Sequence, residues 1–87
     1  MNTKLYEDLA MKFYNNNKNH RHYNHLFDGL VEEAGEAAEA ETVEEVVEEL
    51  GDILWYVTII ASRLGYSLDN LMTKNYYKLE RRQVVGK

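Results

Sequence analysis

Two acid pairs, Glu33-Ala34-Gly35-Glu36 and Glu49-Leu50-Gly51-Asp52, each space their carboxylates three residues apart. On a helix that spacing puts both side chains of a pair on one face. Several carboxylates facing one another do not all stay ionised without a cation between them. They are hard oxygen ligands with no thiol or imidazole beside them, so the set suits Mg2+, or Mn2+, better than zinc or copper. The charge distribution points the same way. Between His22 and Ser62 there are eleven acids and no Lys or Arg. A block of that kind on a folded element repels itself, and a bound cation is one way to offset it. The surplus acids Glu32, Glu39, Glu41, Glu44, Glu45 and Glu48 read as solvated or capping groups. A di-iron bundle is excluded, because it needs Glu-x-x-His on two helices and the only histidine after His22 is His25.

The elements that must carry these acids are helices. Leu5, Leu9 and Phe13 recur at i, i+4, i+8 and predict a first helix over Lys4–Tyr14, with that apolar stripe along one face. The Asn-rich stretch Asn15–His22 reads as a loop. A second helix is expected from Asn24 to Ala40. Thr42 followed by Glu45 is a capping box that starts a third helix at Val43, and Gly65 stops it after Leu64. Ser67 caps a fourth, Leu68–Gln83. No period-2 segment competes, and no repeat of solenoid length is present.

On a helical wheel Glu33 and Glu36 fall about 90° and 150° from the centre of the second helix's apolar arc, and Glu49 and Asp52 fall at the same offsets on the third. The short Glu41–Thr42 connection predicts an antiparallel hairpin, and equal offsets then bring all four acids to one groove. Gly35 and Gly51, inside the pairs, are expected to let the two backbones approach closely. The third helix is apolar over more than one face. Val43, Val46, Val47, Leu50, Ile53, Leu54, Val57, Ile60 and Leu64 form the main stripe, with Trp55, Tyr56 and Ile59 outside it. A helix apolar nearly all round is buried on several sides, so a homo-oligomer with this helix near the interface is expected.

Composition narrows the function classes. The chain has 87 residues, a net charge of −5, no cysteine and no proline. Its length reads as one domain, 1–87, small enough that oligomerisation would add needed burial. The acidic balance argues against binding polymeric nucleic acid through its phosphates. Absence of cysteine removes disulfides and thiolate chemistry. The longest apolar run, Ile53–Ala61, is broken by Thr58 and falls far short of the roughly 20 residues that span a bilayer. A cytoplasmic protein without membrane contact is expected.

Leu30-Val31-Glu32-Glu33-Ala34-Gly35-Glu36, followed by Glu48-Glu49-Leu50-Gly51-Asp52-Ile53-Leu54-Trp55-Tyr56, resembles the MazG-like family of all-α nucleoside triphosphate pyrophosphohydrolases. Asn75-x-x-Lys78-Leu79-x-x-Arg82 is similar to that family's Asn/Lys/Arg helix, so the resemblance spans Phe27 to Gly86. It implies an all-α, four-helix subunit assembled as a homo-oligomer, with small members typically tetramers built as dimers of dimers. It implies hydrolysis of an NTP or dNTP to the monophosphate and pyrophosphate, in the service of nucleotide-pool house-cleaning. It implies Mg2+ held by Glu33, Glu36, Glu49 and Asp52, one of which also orients or deprotonates the attacking water. Lys78 and Arg82, with Asn75 in the apolar stripe of the fourth helix, suit the outer phosphates. Tyr56, one turn beyond Asp52, is placed to pack on the sugar or base, while Trp55 faces elsewhere, toward core or interface. Residues 15–25 match no base-recognition motif, and their histidines read as part of a polar loop. Two other functions fit the same scaffold: phosphoribosyl-ATP pyrophosphohydrolase, and a non-catalytic helical oligomer that serves as an interaction module.

Overall fold

The structure, a computed structural model, describes residues 1–16 and 23–84. Within them the chain forms four helices and no strand: α1 (Thr3–Asn16), α2 (Tyr23–Glu39), α3 (Val43–Arg63) and α4 (Leu68–Val84). Local hydrogen bonds account for the boundaries. Asn2 Oδ1 accepts from the Leu5 amide at 2.8 Å and opens α1. The Thr42 hydroxyl accepts from the Glu45 amide at 3.1 Å, and Glu45 Oε1 accepts from the Thr42 and Glu41 amides at 3.0 Å each. Those bonds, that from Glu41 foremost, hold the Glu45 carboxyl below its ordinary pKa. Gly65 takes φ +85°, so the Tyr66 amide reaches back to Ala61 O and the Gly65 amide to Ser62 O, and the last carbonyls of α3 are satisfied. Ser67 and Asn70 exchange side chain-to-backbone bonds at 3.0 and 3.1 Å and open α4. Asn15 and Asn16 continue α1, against the expected loop; the rest of that loop, residues 17–22 with His20 and His22, lies outside the described residues. Among the described residues no helix is long and apolar enough to cross a membrane.

The core sits where α1 lies against the second half of α3, with side chains of α2 completing it. Ala10, Tyr14, Leu26, Ile59 and Ile60 form it, with Tyr6, Met11, Leu30, Trp55 and Tyr56 packed around it. Arg63 Nη1 donates to the Tyr14 hydroxyl at 3.0 Å and ties α1 to the end of α3. At the other end of α1, Glu7 accepts from the Leu68 amide and Thr3 donates to Asp69 at 2.8 Å, which fastens the start of α4.

On three points the structure differs from what spacing suggests about faces. The core face of α1 is Tyr6, Ala10 and Tyr14, while the Leu5–Leu9–Phe13 stripe is exposed, Phe13 by 70%. The tyrosine face wins because the Tyr14 ring reaches Trp55 and its hydroxyl accepts from Arg63. Trp55, Tyr56 and Ile59, outside the main stripe of α3, pack within this chain, and Ile59 is fully buried. The stripe residues Val43, Val47, Leu50, Leu54 and Leu64 are the exposed ones. Finally, Gly35 and Gly51 face open space, whereas Gly29 is the described glycine with no room for a side chain. The covered face of α2 is therefore Leu26, Gly29, Leu30, Glu33 and Ala37, with Val31 and Ala38 turned outward. Glu33 lies in the middle of that face rather than about 90° from it.

Candidate functional site

α2 and α3 share the most extensive contact in the molecule. Their connection is three residues long, and the facing residues include Glu33 and Glu49, both half-buried. One carboxylate oxygen each from Glu33, Glu36 and Glu49 lies within 4.8 Å of the others. Asp52 stands outside that trio but close to it. Its charge acts on Glu33 and on Glu49, and it lines the same cavity as Glu33.

The electrostatics follow from crowding. A hydrogen bond with Glu36 is the main cause that pushes Glu49 up to about 7, helped by desolvation and by the charges of Glu36, Glu33 and Asp52. Burial is the first cause that raises Glu33, followed by a hydrogen bond with Glu36 and the charges of Glu36, Asp52 and Glu32. Glu33 Oε2 is buried and has no hydrogen-bond partner among the described residues. A buried polar oxygen without a partner is costly, and its neighbours are acids that offer it only a shared proton. A divalent cation with oxygen preference fits this donor set, because it would satisfy the orphaned oxygen and cancel the repulsion together.

The sign of the pH dependence is fixed by these shifts. Glu33 and Glu49 hold protons more tightly in the folded chain than in the unfolded one. Stability from that source is full below the unfolded carboxyl value near 4.5 and is lost as pH rises through the raised folded values, which for Glu49 is about 7. The melting temperature of the chelator-treated protein should therefore fall between pH 5 and 7.5, and millimolar Mg2+ should flatten that slope. Calorimetric melts across the window, with and without the ion, check it; a metal-free melting temperature that rises over the window would contradict it.

Two concavities flank the carboxylates. On one side a cavity of about 510 Å³ is lined by Tyr6, Leu9, Ala10 and Phe13 of α1, Met1, Glu33, Asp52, Trp55 and Tyr56. On the other, a cleft of about 330 Å³ is lined by Glu36, Glu39, Ala40, Glu45, Glu48 and Glu49. Tyr56 is thus where its spacing from Asp52 predicts. Trp55, expected to face elsewhere, lines the same cavity and meets Tyr56 edge-on, ring centroids 5.1 Å apart. Burial, then the charge of Asp52, pushes the Tyr6 hydroxyl above its ordinary pKa. The α1 wall is not legible in the sequence: Tyr6 and Phe13 are evident as aromatics, but nothing in their spacing says which helix they cover.

The basic helix is not gathered in. Asn75, Lys78 and Arg82 are exposed on α4, and none lines the aromatic cavity. α4 touches α1 and α3 but not α2, and Lys78 and Arg82 form no ion pair among the described residues. Asn75 is therefore not the buried polar group its place in the stripe suggested.

A family model described as the MazG nucleotide pyrophosphohydrolase domain matches residues 21–85. The chain belongs to this family. Neither a curated protein nor a solved structure matches it. MazG membership accounts for the all-helical architecture and makes nucleotide pyrophosphohydrolase chemistry the activity that the acids and the aromatic cavity have to explain.

Proposed function

We propose that this MazG-family chain hydrolyses a nucleoside or deoxynucleoside triphosphate between the α and β phosphates, releasing the monophosphate and pyrophosphate. The observation that carries this is the carboxylate trio whose Glu33, together with Asp52, also lines an aromatic cavity. Glu33, Glu36 and Glu49, with Asp52 beside them, hold Mg2+, or Mn2+ in its place. A bound ion of this kind neutralises phosphate charge, lowers the pKa of a water and templates in-line displacement. The chain's own groups do the rest. The aromatic cavity takes the nucleoside end and excludes water from it, with Tyr56 against the sugar or base. One of the four acids orients or deprotonates the attacking water. Lys78, Arg82 and Asn75 grip the outer phosphates, and since α4 makes no contact with α2 they come from α4 of another copy.

In this reading α2 and α3 form an antiparallel hairpin. Support comes from the order of their pairings: Gly29 meets Tyr56, Glu33 shares a cavity with Asp52, and Glu36 brings a carboxylate oxygen within 4.8 Å of one on Glu49. Each step up α2 matches a step down α3. The same reading has the protein acting in the cytoplasm on the free nucleotide pool.

Incubation with a panel of NTPs and dNTPs in ¹⁸O-labelled water tests the reaction. Pyrophosphate and a nucleoside monophosphate carrying the label are expected, with no label in free orthophosphate. A nucleoside diphosphate and orthophosphate as first products would make the protein a phosphatase instead. Turnover confined to phosphoribosyl-ATP would move it to that substrate, and no turnover on any of these would leave a non-catalytic module.

A further inference from the structure

Gly29 has an unusual position. It is buried on the covered face of α2, one turn before Glu33. A Cβ built on it would lie 2.5 Å from Cε1 and Cζ of Tyr56 and 2.6 Å from the Tyr56 hydroxyl oxygen, far inside van der Waals contact. Glycine in a helix interior costs about 1 kcal/mol relative to alanine. The backbone does not call for it here, since Gly65 is the only described glycine with positive φ. What requires glycine at this position is the ring of Tyr56. That ring lines the cavity beside Glu33 and Asp52, while Gly29 does not. The ring therefore lies between the bare backbone of α2 and the cavity.

We infer that Gly29 is a positioning residue for substrate specificity: its missing side chain seats the Tyr56 ring against α2 and so sets the width of the cavity that receives the nucleoside. This rests on the pyrophosphohydrolase function proposed above. The atoms that would collide are the far end of a tyrosine, which turns about its own side-chain bonds. A methyl group at position 29 therefore displaces the ring toward the cavity and leaves the helix pair intact. The class of ligand affected follows from the rest of the lining. Leu9, Ala10 and Phe13 with the rings of Tyr6 and Trp55 make most of that lining apolar or aromatic, and its other polar groups are the Met1 amino group, the Tyr6 hydroxyl and the Trp55 indole N–H. A base is held there chiefly by its faces and its size. Narrowing the cavity penalises a two-ring base more than a one-ring base.

Steady-state kinetics on a purine and a pyrimidine triphosphate, in a Gly29→Ala and Tyr56→Leu double-mutant cycle, test this. Gly29→Ala alone should raise KM about tenfold for the purine and about twofold for the pyrimidine, with kcat within about threefold of wild type. In the Tyr56→Leu background, where the colliding ring is gone, the same substitution should change KM by less than about twofold. Equal KM penalties in both backgrounds, or none in either, would overturn the inference. A substrate-free readout stands beside the kinetics. Trp55 is the chain's single tryptophan and touches the Tyr56 ring edge-on, so Gly29→Ala should shift its emission. An unchanged emission would count against the seating. Should Gly29→Ala alone fail to fold, adding Tyr56→Leu should restore the helical circular dichroism, and failure to restore it would also overturn the inference. A wild-type chain that hydrolyses no triphosphate would sink the function, while the emission and folding arms still decide the contact. An active wild type with an unaltered Gly29→Ala KM would sink the contact's role alone.

Discussion

Glu36→Gln should lower pyrophosphate release at least on the order of a hundredfold, and Asp52→Asn should do the same, while both chains stay folded. Glu36 is the member of the trio that helps raise both of the others, so its loss removes one of the three clustered carboxylates and its hold on Glu33 and Glu49 together. Asp52 acts differently. It lines the aromatic cavity with Glu33, and its neutral isostere keeps the shape while removing one of the two carboxylate charges there. The sign on stability is opposite to that on rate. Each substitution relieves like-charge repulsion, so the metal-free melting temperature should hold or rise. EDTA should abolish turnover in the wild type, and added Mg2+ or Mn2+ should restore it. Wild-type rates in both variants, or full turnover in chelator, would reject the site. A drop in rate with a collapsed fold would not match the expectation either, because these side chains oppose the fold rather than support it.

Wild-type protein should elute and scatter light as at least a dimer, with a tetramer expected, and Val47→Asp with Leu54→Asp should reduce it to smaller species. Val43, Val47, Leu50 and Leu54 recur at i, i+4, i+7 and i+11 and are exposed, Val43 by 75%. On α1 the Leu5–Leu9–Phe13 stripe is equally open, and Met72, Tyr76 and Leu79 are open on α4. Soluble monomers rarely leave such surfaces contiguous and uncovered. A carboxylate placed in the middle of an apolar contact must be desolvated without a partner, so assembly should weaken on the order of a hundredfold or more. Turnover should fall with it, because Lys78 and Arg82 on α4 would no longer meet the acids of a neighbour. Trp55→Ala is a different experiment from the one the sequence suggests: Trp55 packs on Tyr14 inside the chain, so its loss should lower stability before it alters assembly. A folded wild-type monomer at micromolar concentration would refute the oligomer.

The number of helices and most of their boundaries were legible in the amino-acid order. Thr42 with Glu45, Ser67, and Gly65 at positive φ make their caps from groups within a few residues of one another. Such bonds form wherever the rest of the chain lies, so spacing alone reveals them. The acid pairs were legible for the same reason, as i, i+3 spacing is a property of a single helix. The family follows from those same segments.

Which face of each helix points inward was decided only by tertiary structure. On α1 the choice lay between Leu5–Leu9–Phe13 and Tyr6–Ala10–Tyr14, and both stripes have helical period. Trp55 and Arg63, distant in sequence on α3, decide it by giving Tyr14 partners that leucines do not need. The same holds for the glycines. Gly35 and Gly51 sit inside the acid pairs and draw the eye, yet a side chain there meets nothing, while Gly29 stands against a ring supplied by another helix. Spacing along one helix specifies what can share a face. What that face meets depends on contacts between distant segments, and there the competing apolar stripes of this chain differ only by the partners that folding brings to them.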